Sequence, residues 1–281
     1  MPDESLPALR EVIAAYGLRA EKRLGQHFLL DPAILKKIVA LAPEIAAGTV
    51  LEIGPGPGGL TRALLAGGAE RIIAIERDKR CVLALRSLEA WAAGRLQIVE
   101  ADAVQWDGLK DLEEVTIVAN LPYNIATPLL MRWFDHLDVI RSMVLMFQKE
   151  VGDRLVAEPG TKAYGRLSVM SQWLCDVRRG FDLPPGAFVP PPQVTSSIVL
   201  MKPKTTIASA PARQLMAQLT SAAFGQRRKM LRSSLKSFTE APLALLDQAG
   251  IDPNLRAERL DLDAFLRLHA AARALGAASA T

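Results

Sequence analysis

An α/β fold with a mostly parallel sheet, followed by a small all-helical C-terminal domain, is what this 281-residue sequence predicts. Three observations carry that expectation. Short Val- and Ile-rich runs alternate with Leu- and Ala-rich helical stretches from residue 49 to about 150. Beyond residue 206 only helical patterns remain. The stretch "KPKTTIASAPA" (202–212), with two prolines and no helical or strand period, separates the two regions.

In chain order, "TVLEIG" (49–54), "RIIAIE" (71–76), "LQIVEA" (96–101), "VTIVAN" (115–120) and "SMVLMF" (142–147) read as strands rich in β-branched residues. "LTRALLAGG" (60–68) and "DKRCVLALRSLEAWAAG" (78–94) read as the helices between them. Such alternation implies a sheet covered on both faces, whose ligands bind beyond the carboxyl ends of the strands. Residues 163–174 look helical, and "DVRRGFDL" (176–183) and "QVTSSIVLMKP" (193–203) read as two further strands around the proline-stiffened "PPGAFVPPPQ" (184–193). Helical patterns follow in "RQLMAQLTSAAF" (213–224), "RRKMLRSSLKSF" (227–238), "PLALLDQAG" (242–250) and "DLDAFLRLHAAARAL" (261–275). The expected domains are 1–205, catalytic, and 206–281, helical.

Composition excludes several classes. Half the residues are apolar, enough for a real core. Cys81 and Cys175 are the only cysteines and lie far apart, so neither a structural zinc nor a disulfide framework is expected. No metal is expected elsewhere. The N-terminus has early acids and no apolar core of a secretory signal, and no run of about 18 apolar residues could span a membrane. The expectation is a cytoplasmic, monomeric protein with no membrane partner. Net charge is +4, and the whole excess lies after residue 204, where 10 Lys/Arg face 6 Asp/Glu. A local excess of this kind points to a polyanion partner.

"VLEIGPGPGGLTRALL" reads as strand, glycine turn, helix. Gly54, Gly56 and Gly58 allow tight backbone turns and close approach of a ligand. Gly54, Gly56 and Gly59 also fit G-x-G-x-x-G, and Glu76 follows 22 residues after Gly54, where a ribose-binding acid would sit. That pattern permits NAD or another adenosyl ligand. Two features favour S-adenosylmethionine. Glu52 sits inside the strand, where a carboxylate can orient the loop and reach a cationic amino group. Asp102 ends the third strand in "VEADA" and can accept from an adenine amine.

The fourth strand then exits through "NLPY", Asn120 to Tyr123, beside the expected position of a sulfonium methyl. The exocyclic nitrogen of adenine is a poor nucleophile, because its lone pair is delocalised into the ring. The Asn120 amide oxygen and the Leu121 carbonyl can hold its hydrogens and free that lone pair. Pro122 presents the carbonyl rigidly, and Tyr123 offers a flat face for a flipped base. A C5-cytosine enzyme would need a cysteine at this loop, and none is there.

With these motifs in hand, the sequence resembles the KsgA (RsmA) family of small-subunit ribosomal RNA adenine N6,N6-dimethyltransferases. The resemblance runs through "KRLGQHFLLD" (22–31), "LEIGPGPGGLT", "AIERD", "NLPYNIATPLL", "MFQKEVGDRL", "YGRLSV", "FVPPPQVTSSIV" and "FGQRRKML". It implies a class I, Rossmann-like S-adenosylmethionine-dependent methyltransferase domain. It also implies transfer of methyl groups to two adjacent adenosines in the 3′-terminal hairpin loop of 16S ribosomal RNA, within a 30S assembly particle. Residue by residue, it implies that His27 and Leu29 close over the cofactor, Gly54 contacts it through the backbone, Glu76 holds the ribose, Asp102 the adenine amine, and Asn120 the junction with substrate. Phe188 would pack on the target base opposite Tyr123.

"FGQRRKMLRSSLKSF" reads as a basic helix. Phe224, Leu231, Leu235 and Phe238 would face a core, while Arg227, Arg228, Lys229, Arg232 and Lys236 would meet RNA phosphates. Rival readings at this point are an NAD-dependent oxidoreductase, a non-enzymatic RNA-binding factor, and the same chemistry on large-subunit RNA.

Overall fold

The computed structural model describes residues 6–18 and 26–278, so "KRLG" of the 22–31 motif lies outside the described residues. The elements are α1 (Leu9–Ala15), β1 (Phe28–Leu29), α2 (Pro32–Val39), β2 (Thr49–Ile53), α3 (Gly59–Ala66), β3 (Ile72–Glu76), α4 (Lys79–Arg86), α5 (Glu89–Ala92), β4 (Leu96–Glu100), β5 (Val115–Asn120), α6 (Tyr123–Trp133) and β6 (Ile140–Gln148). They continue as α7 (Lys149–Leu155), α8 (Arg166–Leu174), β7 (Cys175–Leu183), β8 (Phe188–Val189), β9 (Ser196–Pro203), α9 (Ala210–Gly225), α10 (Leu231–Ser234), α11 (Pro242–Gln248) and α12 (Leu262–Ala278).

The main sheet has the order β4-β3-β2-β5-β6-β9-β7. Strands β2 to β6 pair in parallel, and β9 returns antiparallel to β6. This is the α/β, Rossmann-like architecture expected from the sequence. Strands β2 and β3 are buried at every position, and β5 up to its last residue, as strands covered on both faces must be. The chain runs outward from β2 to β4, then comes back to β5. The order therefore reverses between β2 and β5, and the crevice beyond their carboxyl ends is the ligand position of this fold. A second, two-stranded sheet pairs β1 with β8, Phe28 opposite Val189 and Leu29 opposite Phe188.

The chain divides into two compact units, residues 1–152 with 178–203, and residues 153–177 with 204–281. The linker expected at 202–212 falls at the junction after Pro203. The stretch 153–177, assigned to the catalytic domain from sequence, belongs instead to the helical unit. The reason is local. Within that unit, Tyr164 is fully buried edge-on to Phe224, which stacks on Phe265 of α12. The Lys204 ammonium also caps the end of α8 by donating to the Gln172 carbonyl. Residues 153–177 bury Leu155, Tyr164, Val169, Met170 and Leu174 in that unit, which ties the stretch to it.

The basic segment is also corrected. Residues 224–238 do not form one helix. The chain turns at 226–229 and re-enters helix only at Leu231. The amides of Leu231 and Arg232 donate to the carbonyls of Leu255 and Pro253. A helix continued from α9 would have used those amides internally. The break keeps Leu231 and Leu235 in the core, so the apolar face read from the sequence survives without the continuous helix.

Candidate active site

The glycine turn supplies the floor of the site. Gly54, Gly56 and Gly58 have φ of +65°, +56° and +88°, in the left-handed region where a side chain is strained. At Gly54 a methyl group would touch the Pro122 ring at 3.5 Å, so the β2 turn and the "NLPY" turn meet directly. At Gly56 it would press on the Phe28 ring at 3.2 Å. Both turns open on one cavity. It is lined by His27, Leu29, Glu52, Gly54, Gly56, Glu76, Asp102, Asn120, Leu121, Pro122 and Tyr123, every expected cofactor residue and the whole "NLPY" turn, while Gly58 lies outside the lining.

Each polar group in the cavity has a defined state. Glu76 is buried, and its Oε2 accepts from the Gly56 amide at 3.0 Å. Its Oε1 accepts from the Arg77 and Asp78 amides at 2.8 Å each. Burial pushes its carboxyl above the usual range, and these three amides draw it partly back. Asp102 accepts from the Val104 amide at 3.0 Å and pairs with Arg77 at 3.3 Å. The Asn120 Nδ2 donates to the His27 carbonyl at 3.3 Å, which leaves Oδ1 as the open acceptor. Tyr123 begins α6, directly after Pro122, and its hydroxyl shares a 2.7 Å hydrogen bond with Ser196.

Glu52 is the anomaly. It is 1% exposed, and neither carboxylate oxygen has a hydrogen-bond partner. Thr61 on α3 is near enough to lower the Glu52 pKa, but the Thr61 hydroxyl makes no hydrogen bond of ordinary geometry. Burial pushes the Glu52 carboxyl up to about 8, with Glu76 adding repulsion against the pull of Thr61. A buried orphan acid facing a cavity calls for a donor from outside the chain. The residues fit S-adenosylmethionine: a glycine turn for close approach, Glu52 for the cationic amino end, Glu76 for a diol and Asp102 for an amine.

A pH dependence follows. Because the folded carboxyl titrates near 8 rather than 4.5, the ligand-free protein loses stability as pH rises through that interval. Cofactor affinity should instead climb from pH 6 toward 8, as Glu52 becomes free to ionise. It should fall beyond, once an amine of pKa about 8 loses its own proton. Glu52→Gln should flatten the rising limb. Calorimetric titration at several pH values checks this, and an unchanged rising limb would remove Glu52 from that role.

Phe188 is the one residue expected at the base or the cofactor that does not line the cavity. It is 2% exposed and belongs to the same apolar core as Leu29, Leu183 and Ile198. Its alternation in β8 turns the ring inward, while Val189 faces out. The base-facing role expected for Phe188 has no cavity contact behind it here and stays a proposal. Sequence reasoning missed Gln26, whose amide donates to Asp78 at 3.1 Å, and Arg77, which pairs with Asp102. Both lie inside quoted motifs, but only folding shows their partners.

Comparison with known proteins agrees with this site. The family model described as "Ribosomal RNA adenine dimethylase" matches residues 17–273. A "Ribosomal RNA small subunit methyltransferase A" of Rhodospirillum rubrum is 52% identical, covering 98% of this chain and 96% of that protein. One from Mesorhizobium japonicum is 51% identical over 95% of this chain and 99% of its own. Among solved structures, a dimethyladenosine transferase from Plasmodium falciparum superposes with a TM-score of 0.76 at 28% identity, covering 86% of this chain and 96% of that one. A glycine turn, three strand-end acids and an "NLPY" exit gathered on one cavity, in a chain matched along nearly its whole length, place it in the ribosomal RNA adenine dimethylase family.

Proposed function

We propose that this protein transfers methyl groups from S-adenosylmethionine to N6 of two adjacent adenosines in the 3′-terminal hairpin loop of 16S ribosomal RNA, giving N6,N6-dimethyladenosine. The setting is a 30S assembly particle in the cytoplasm, and the enzyme acts as a monomer. Among the described residues no helix is long and apolar enough to cross a membrane. The observation that carries the proposal is the Asn120 amide, fixed at its nitrogen end by the His27 carbonyl and open at its oxygen end on the cavity that holds Glu52, Glu76 and Asp102.

S-adenosylmethionine, when bound, supplies an electrophilic methyl group. The chain supplies everything else. Glu52, Glu76 and Asp102 bind and orient the cofactor. Asn120 Oδ1 and the Leu121 carbonyl hold the hydrogens of the adenine amine, so that its lone pair turns toward the methyl group. Tyr123 stacks the base. No strong base is needed before attack, because the nitrogen becomes acidic once methylated and releases its proton to water. Positioning of this kind can lower a barrier by about 7–11 kcal/mol at its upper limit.

RNA affinity beyond the flipped base is assigned to the 226–236 segment. Arg228, Lys229, Arg232 and Lys236 are exposed and carry no ion pair among the described residues. Arg227 differs. Its guanidinium pairs with Glu258 at 3.1 Å and donates to the Thr161 and Lys162 carbonyls, so it braces the turn. Changing the four free cations to Ala should weaken RNA binding and lower the log–log salt slope by about 3. Filter binding at graded salt checks this, and an unchanged slope would return the segment to a solvated surface.

The activity itself is tested with labelled cofactor and small subunits lacking the hairpin dimethyladenosines. Methylated subunits and large-subunit RNA serve as parallel acceptors. Label in N6,N6-dimethyladenosine of the unmethylated small subunits alone is the expected result. Label in large-subunit RNA, or none anywhere with intact cofactor binding, would overturn it.

A further inference from the structure

The ring of Tyr123 is held from two directions, by the Ser196 hydroxyl and by the His27 ring. Its hydroxyl is 2.7 Å from the Ser196 hydroxyl. Ser196 is fully buried at the start of β9, opposite Gln148 of β6 in the ladder, so it sits on rigid backbone. The His27 ring stacks on Tyr123, with centroids 5.7 Å apart and planes 30° apart. His27 is fixed in turn, for its Nδ1 lies 2.8 Å from the Pro190 carbonyl. A carbonyl only accepts, so Nδ1 carries the proton.

These contacts act on different freedoms. A tyrosine ring has two soft torsions, one that swings it and one that spins its plane. The Ser196 anchor at the ring tip stops the swing. The His27 ring against one face stops the spin. A flat ligand stacking on Tyr123 would then use the face away from His27.

We infer that Ser196 and His27 are positioning residues that set the direction and plane of Tyr123, so that the acceptor adenine stacks on one face alone, with its amine toward Asn120. The inference rests on the proposed base-stacking site. It adds a buried serine of β9, and a reason for the ring in "GQHFL", to the machinery.

The test compares Ser196→Ala, Tyr123→Phe, the double variant and Ser196→Thr. Each is assayed for single-turnover transfer to unmethylated small subunits and for cofactor binding. Ser196→Ala and Tyr123→Phe remove the same bond from opposite ends, so each should slow transfer about 5- to 20-fold. The double variant should be no slower than the worse single one. Cofactor affinity should stay within about twofold, and Ser196→Thr should recover most of the rate. A hairpin carrying 2-aminopurine at the target position should lose part of its stacking quench in Ser196→Ala and in His27→Ala. Transfer at wild-type rate in both single variants, or losses that multiply in the double one, would overturn the clamp while leaving the function intact. No transfer by the wild-type protein would overturn the functional reading and the clamp with it.

Discussion

Asn120→Ala is expected to reduce methyl transfer by about 10²–10³-fold while RNA binding stays close to wild type. The amide has one job at each end. Nδ2 is tied to the His27 carbonyl, which decides where Oδ1 points. Alanine removes an acceptor needed only when the adenine amine gives up its delocalised lone pair, so the loss falls on the rate of the chemical step. It also frees the part-buried His27 carbonyl, which costs stability unless water replaces the lost donor. Single-turnover transfer measured beside RNA affinity separates the two effects. A variant with full transfer would remove Asn120 from the mechanism.

Glu76→Ala should damage binding and folding together. The carboxylate accepts three backbone amides, those of Gly56, Arg77 and Asp78. Leaving buried amides without acceptors costs about 1–3 kcal/mol each, less where water enters the new space. A drop in melting temperature of several degrees is expected, with cofactor affinity lower by at least about 100-fold. Glu76→Gln should be intermediate. Its amide can accept at one end only, so an N–H group confronts either Gly56 or the Arg77–Asp78 pair. Thermal melts and calorimetry on both variants check the order. If Glu76→Gln equals wild type in both, the three-amide cradle is not what holds the glycine turn.

The two effects share an origin in the reversal of strand order between β2 and β5. Glu52 and Gly54 belong to the exit of β2, Glu76 to that of β3, and Asn120 to that of β5. Adjacent parallel strands bring their exits side by side, so residues 68 positions apart in sequence line one cavity. The Pro122 ring, 3.5 Å from where a Gly54 side chain would begin, makes the contact explicit.

Much of this was legible in the residues alone. The central parallel strands β2, β3 and β5 announce themselves as Val/Ile runs because they are buried on both faces, and burial there favours apolar, β-branched residues. The glycine turn and "NLPY" were legible because special backbone demands restrict composition to a few residues. The acids at strand ends followed from the topology rule for α/β sheets. The facing of Phe188 was not legible, because an aromatic beside prolines looks the same whether it faces a ligand or a core. Its facing is set by pairing with Leu29, a partner 159 residues away. The basic segment was misread for a similar reason. Its apolar period fits a helix, but the amides of Leu231 and Arg232 are taken by the 253–255 turn.

The sequence by itself determined the strand–turn–helix units, the acids and amide that carry the chemistry, and the location of the cationic excess. These depend on local backbone needs and on residue types that few alternatives can replace. Only the tertiary structure decided which side chains remain unpartnered and which are already committed. Glu52 and Arg228 became open groups, Arg227 and Phe188 became braces, and Ser196 became the anchor of Tyr123. Those outcomes rest on hydrogen bonds and packing between residues distant in the chain, and no local pattern encodes which distant partner arrives.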